Sequence, residues 1–412
     1  MNRKVLAVAI TALLAANAAN AAEIYNKDGN KIELKGKVEA QYTIRGDSDR
    51  YVRDGNNNPV FFAKEEHANE DETIARLGFH GETQINSELT GYGVFEQQFT
   101  PDNRSGNGDD TDETRLAYAG LKYGNLGSLD FGRNNGIVKY VHDFTDNAAV
   151  FGGDGFGGGT DRFMTGRASS VATYSVHDAY GYVDGLNMYV QYQAKHNEVG
   201  TDADGFITGG LKESNGDGIA FTTTYEHEIG LGAAVTYANS DRLESQRFLG
   251  INVIDPATNT TSFIGTGSDG NNAEFWAIAA KYDANNVYAA ISWAESNNLH
   301  LNGDETEFYK KTRGLEAVAN YTFDFGLTPS IVYNQLRARD IKDNGIYTDA
   351  NNRVSDAYVT KYVGIGAEYS FNKNMDMAVG YKFNLIDDEA EYTNYAGIAA
   401  DDQFTARLTY SF

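Results

Sequence analysis

The chain has 412 residues with no Cys, four Pro, 44 Gly, 27 Tyr, 22 Phe and two Trp, and a formal net charge of −24. Such an acidic balance argues against nucleic acid as a partner, and the lack of Cys leaves no disulfide staples for an exported chain. Beyond the amino-terminal run no stretch approaches the ~18 consecutive apolar residues of a membrane-spanning helix, while Gly and aromatics in this abundance suit many short strands and tight turns.

Arg3 and Lys4 precede an apolar run from Val5 to Ala16, and Ala19, Asn20 and Ala21 follow as a small-residue cleavage site. The run is too short to span a bilayer, so residues 1–21 are expected to be an export signal cleaved after Ala21, and residues 22–412 one domain.

From there the period-two pattern predicts about sixteen strands, near 32–44, 72–84, 89–99, 113–123, 127–133, 167–177, 185–194, 217–228, 231–240, 273–283, 286–296, 313–325, 327–338, 357–371, 374–385 and 402–412. Short turn-like connections, such as 123–127, 283–286 and 371–374, alternate with long loops rich in Asp, Asn and Gly at 45–71, 134–166, 241–272 and 339–356. Pro59, Pro101 and Pro256 fall in loops, and Pro329 near a strand start, where no ladder donor is required.

The last strand shows the alternation best. Phe404, Ala406, Leu408, Tyr410 and Phe412 interleave with Thr405, Arg407, Thr409 and Ser411. Alternation alone fits either a soluble sandwich or a lipid-embedded barrel. An even strand count, short turns at one end, long loops at the other and aromatics beside the turns (Tyr123, Tyr282, Phe323, Phe325, Phe371, Tyr410, Phe412) select a closed antiparallel transmembrane β-barrel with its apolar face outward. A barrel of that size encloses water rather than a packed core, so the expected function is a channel.

Long ordered segments carry a resemblance: Ala22 to Lys31, Ala75 to Gly93, Thr114-Arg-Leu-Ala-Tyr-Ala-Gly-Leu-Lys-Tyr123, Phe151-Gly-Gly-Asp154, Val183 to Asn187, Lys281 to Asn286, Phe323 to Ser330 and Phe371-Asn-Lys-Asn374. Together they resemble the general diffusion porins of enteric-type Gram-negative bacteria. The resemblance implies passive diffusion of small hydrophilic solutes and ions across the outer membrane by a homotrimer in contact with lipid and lipopolysaccharide. It also implies that the third loop, about 134–166, folds inward to face a basic wall.

By position in the matching motifs the wall falls on Lys37, Arg76, Arg115 and Arg167. Parity supports two of these independently. Lys37 shares a strand face with Glu39 and Gln41, against Leu34, Val38 and Tyr42, and Arg76 opposes Ala75 and Leu77. On the loop, Asp146 and Asp154 match the family's acidic side, and Glu96 matches a conducting-channel glutamate. The departures lie here. Ala149 and Val150 replace the family's Pro-Glu, Lys139 stands where relatives carry Tyr, and Gly166 where phosphate-preferring relatives carry Lys. A less negative loop is expected. The family's acidic latch in the second loop does not align at Thr100 to Ser105.

Other motifs point nowhere else. Gly153 to Gly158 fits GxGxxG with no strand before it and no helix after it, so a dinucleotide site is not expected. The acidic runs at 65–72, 109–113 and 387–389 lack EF-hand spacing and read as solvated loop tips, although divalent cations near lipopolysaccharide would suit them. No HExxH or GxSxG element supports catalysis, and no cofactor or metal is implied. Two rivals remain at this level. A substrate-specific channel, for sugars for example, needs an aromatic slide along the lumen. A plugged adhesin or structural barrel is favoured only by the long loops.

Overall fold

The computed structural model describes residues 22–53, 59–65, 68–101, 112–198, 200–201, 207–211, 213–247, 250–255, 260–265, 268, 270–301, 308–341, 356–387, 393 and 398–412. The export segment 1–21 and the latch positions 102–105 lie outside the described residues, as do residues 66–67, 109–111 and 388–389 of the acidic runs and most of loop 339–356; of the described acidic residues, Glu70, Glu72 and Glu113 are paired with neighbouring side chains and are not solvated loop tips.

Asp28 and Gly29, at φ +54° and +73°, form the two-residue turn that folds β1 (Ala22–Lys27) back on β2 (Asn30–Arg45). The chain then runs through β3 (Ile74–Gln84), β4 (Leu89–Phe99), β5 (Glu113–Tyr123), β6 (Ser128–Asn135), β7 (Arg167–Val176), β8 (Leu186–Gln193), β9 (Gly218–Glu226) and β10 (Leu231–Asp241). It continues through β11 (Asn272–Ala284), β12 (Val287–Asn297), β13 (Lys311–Tyr321), β14 (Leu327–Arg339), β15 (Asp356–Asn372), β16 (Met375–Asn384) and β17 (Gln403–Ser411). Each pairs antiparallel with the next, and β17 returns to β2 from Lys37↔Ser411 to Arg45↔Gln403, so sixteen strands close the ring.

The closing position is composite. On one side of β2, β3 pairs from Asn30 to Glu39; on the other, β1 covers Asn30 to Leu34 and β17 covers Lys37 to Arg45. Phe412 bridges the gap through its hydrogen bonds with Gly36. Residues 22–27, which the period-two reading left outside the strands, therefore prolong β17. Strand β13 also ends at Tyr321, short of the expected 325, because the Gly326 amide turns back to the Phe323 carbonyl.

The outward face is apolar, as the alternation requires. Val38, Leu77, Phe79, Leu121, Phe131, Val235, Ile278, Ile291, Ile331 and Leu408 are all exposed, and Tyr123, Phe323, Phe325, Phe371 and Tyr410 cluster by the short turns. For a soluble domain such a surface would be untenable. Around a lipid-embedded ring it is the lipid-facing side.

The buried apolar cluster lies inside the ring and is not a sandwich core. It joins Ile137, Val138, Val141, Phe144, Phe156 and Met164 of the third loop to Ala220, Ala234, Ala238, Ala277, Phe275, Val318, Val332 and Tyr362 on the inner faces of β9 to β15. Small Ala side chains on these strands leave room for the loop. Each fully buried Ile, Val or Phe contributes about 1.5–3 kcal/mol, enough to hold the loop in the lumen against the entropy of release.

Candidate functional site

The third loop leaves β6 at Gly136, makes one helical turn (Lys139–His142) and crosses the lumen before returning to β7. It is pinned to the wall at many points. Glu316 of β13, fully buried, accepts from the Gly153 amide at 2.6 Å, Asn334 Nδ2 at 2.9 Å and Thr145 Oγ1 at 3.1 Å. Tyr288 donates to the Phe144 carbonyl at 2.6 Å, Ser330 Oγ accepts from the Ala149 amide at 3.0 Å, and Arg407 donates to the Ala149 carbonyl at 3.0 Å. At Gly314 the backbones touch so closely that a Cβ would sit 1.5 Å from the Gly155 carbonyl oxygen, so only glycine fits.

Opposite the docked loop, β2 to β7 present the basic residues. Lys37 and Arg76 are direct cross-strand partners. Arg115 NH1 and Arg76 Nε both donate to Gln98 Oε1, at 3.2 and 2.8 Å, and Arg167 reaches Glu113, two residues from Arg115 on β5. The four are thus brought onto one stretch of wall.

Simple alternation would have turned one of them away. Arg115 has the same parity as the lipid-facing Leu121, and it faces inward because the β4–β5 ladder slips by one residue between Glu96 and Gln97. Arg133, absent from the sequence-based set, is re-aimed in the same way. It shares parity with exposed Phe131, but Gly132 at φ +138° and a bulge between Ala168 and Val171 on β7 bring its guanidinium to Asp161, Ser169 and Glu113.

The wall is largely charge-paired. Lys37 Nζ lies 2.6 Å from Glu39, Arg115 Nε 2.5 Å from Glu96, and Arg167 NH2 3.0 Å from Glu113. Arg133 NH1 lies 2.5 Å from Asp161. Arg76 differs, donating instead to the neutral Gln98 Oε1 at 2.8 Å.

On the loop, Asp146 and Asp154 are exposed to the lumen, Asp154 also accepting from the Tyr362 hydroxyl at 2.7 Å. Lys139 is paired within its own helical turn with Asp143, which offsets its charge locally. Val150 packs its side chain against Gly380 on β16, an apolar contact at the position where the matching motif implied a carboxylate. Gly166 is equally constrained, since a Cβ there would meet the Gly159 backbone at 2.4 Å.

Some signals were readable and some were not. Glu39 shares its strand face with Lys37, as the alternation indicated, but Glu113, Arg133 and Asp161 needed the bulges. Glu316, Gly314 and Arg407 needed the docked loop. Inward aromatics also exist beyond the outward majority: Tyr140 stacks on Tyr189 at 4.2 Å, and Tyr92 meets Tyr118 edge-on at 6.4 Å.

A closed sixteen-strand ring with an apolar exterior, and an inner loop facing a charged wall, defines a channel-forming protein of the bacterial outer membrane. The profile of the Gram-negative porin family matches residues 27–412. The outer membrane porin protein OmpD of Citrobacter koseri is 42% identical over the full length of both chains, and outer membrane porin F of Salmonella typhimurium is 40% identical, again over all of both. The solved structure of Salmonella typhi OmpF in complex with daunomycin superposes with a TM-score of 0.75 at 37% identity, covering 95% of this chain and all of that one. The chain belongs to the Gram-negative porin family and is a general diffusion channel of the outer membrane, not an enzyme.

Proposed function

We propose that solutes pass between the basic wall of Lys37, Arg76, Arg115 and Arg167 and the loop carboxylates Asp146 and Asp154, where small hydrophilic molecules and ions are limited by size and sorted by a transverse field. Glu96 beside Arg115, Lys139 beside Asp143 and the apolar Val150 tune that field. The observation that carries this is the fastening of the loop to the inner wall through the buried Glu316, which leaves Asp146 and Asp154 exposed to the lumen. Since most wall cations are already paired and Val150 supplies no charge, the net ion preference is weak.

In planar bilayers the purified protein is expected to give stepwise conductance. Arg76→Ala and Arg115→Ala raise relative cation permeability, read from the reversal potential in a salt gradient. An unchanged reversal potential removes them from the passage. The mature chain is expected to begin at Ala22, which its intact mass would check, and to assemble as a homotrimer embedded in lipid and lipopolysaccharide, which cross-linking of the detergent-solubilised protein would check. A sugar-specific channel would instead show saturable uptake in liposome swelling, and an adhesin no conductance.

A further inference from the structure

We infer that Glu113 is a specificity-determining residue of this channel, muting the wall's attraction for anions by masking Arg167. The inference rests on the passage proposed above. Glu113 Oε1 accepts from Arg133 NH2 at 3.2 Å and from Arg167 Nε and NH2 at 3.3 and 3.0 Å, while Oε2 accepts from Arg167 NH2 at 3.0 Å.

The two guanidiniums do not depend on it equally. Arg133 has a second carboxylate, Asp161, on its NH1 and NH2 at 2.5 and 2.9 Å, together with Ser169 Oγ at 2.8 Å and the Thr114 carbonyl at 2.6 Å. Arg167 has no carboxylate partner other than Glu113 among the described residues. Removing the Glu113 charge therefore leaves Arg133 neutralised and unmasks Arg167. The unmasked charge joins Arg76, whose hydrogen-bond partner is neutral.

The side chains of Arg167 and Glu113 are 18% and 29% exposed, so both sit at the water surface of the lumen, where a change of charge is felt by a passing ion. The placement depends on backbone as well as charge, because the slip in the β4–β5 ladder that turns Arg115 inward turns Glu113 with it, two residues earlier on the same face.

The test is the chloride-to-potassium permeability ratio from reversal potentials in planar bilayers. One unmasked unit charge about 6 Å from a passing ion in water changes its local concentration roughly threefold. Glu113→Gln is expected to raise the ratio by at least about that factor at 0.1 M salt and far less at 1 M, where the screening length falls to about 3 Å. Glu113→Asp keeps the charge and the original ratio. Arg167→Gln alone leaves the Glu113 charge unbalanced and lowers the ratio, and the neutral pair Glu113→Gln with Arg167→Gln returns it to the parent value; a pair that keeps the raised Glu113→Gln ratio overturns the inference. Arg76→Ala runs alongside. If it shifts the ratio while Glu113→Gln does not, the masking role alone fails; if neither shifts, the proposed passage fails with it.

Discussion

Glu316→Ala removes the acceptor at the centre of the loop's attachment. Three donors lose their partner at once: the Gly153 amide, Asn334 Nδ2 and Thr145 Oγ1. A buried donor left without its partner costs about 1–3 kcal/mol, and because the three share one acceptor their sum is not additive, so a total near 3–5 kcal/mol is the reasonable scale. The remaining anchors, from Tyr288, Ser330, Arg407 and the apolar cluster, keep the loop in the barrel. The expected result is local release around Phe151 to Asp154, not loss of the fold. A loss of about 3 kcal/mol multiplies the released population about a hundredfold. Hydrogen exchange at the Gly153 amide reads it directly, and single-channel records read it as excess noise in the open level. Glu316→Gln, which retains one acceptor oxygen, lies between the two. If Glu316→Ala exchanges Gly153 as slowly as the parent and its open level is equally quiet, the carboxylate is not what holds this segment.

Four further outcomes follow from the same geometry. Gly314→Ala must displace Gly155 towards the lumen, because 1.5 Å is far inside van der Waals contact, so single-channel conductance falls; an unchanged conductance contradicts the close approach. Val150→Glu restores a loop carboxylate and moves the reversal potential towards cations. Any ion preference of the parent channel weakens between 0.1 M and 1 M salt, as the screening length shrinks from about 10 Å to about 3 Å. His300, in the loop between β12 and β13, has its pKa pushed down to about 4 by burial and by the Arg162 guanidinium, and its Nδ1 is hydrogen-bonded to the Gly157 carbonyl of the third loop. A depressed histidine pKa adds stability that is complete above its ordinary value near 6.5 and is lost as pH falls from there towards 4. Exchange protection around Gly157 should drop over that window, and His300→Phe should remove the dependence.

The strands were legible because their signal is local. Leu34, Val38 and Tyr42 against Lys37, Glu39 and Gln41 state both the period and the face, and the structure keeps them so. Arg115 and Arg133 show where this stops. A one-residue slip costs little to encode in sequence but reverses the face of everything beyond it, and only Gly132 leaves a trace. The inner Ala residues of β9 to β11 were illegible for another reason. On an alternation pattern an inward Ala277 reads no differently from an outward one, and what fills the space beside it, Phe156 and its neighbours, lies far away in sequence. Lys37, Arg76, Arg115 and Arg167 were singled out by matching motifs, whereas the pairing of Arg115 with Glu96 and of Arg167 with Glu113 across adjacent strands depended on register.

The two-part closing strand constrains the order of folding. The contact between Thr43 and Thr405 joins residues 362 positions apart, so the ring's last seam has almost the largest loop-closure entropy the chain can offer and no local turn to nucleate it. Until β17 arrives, β2 and β16 are bare edges able to pair with another chain. Because β1 already covers the Asn30 to Leu34 end of β2, only the stretch from Gly36 to Arg45 waits for the carboxyl terminus. A chain cut before Gln403 would therefore keep nearly every hairpin yet have no way to become a tube, and its failure would be aggregation rather than leakage.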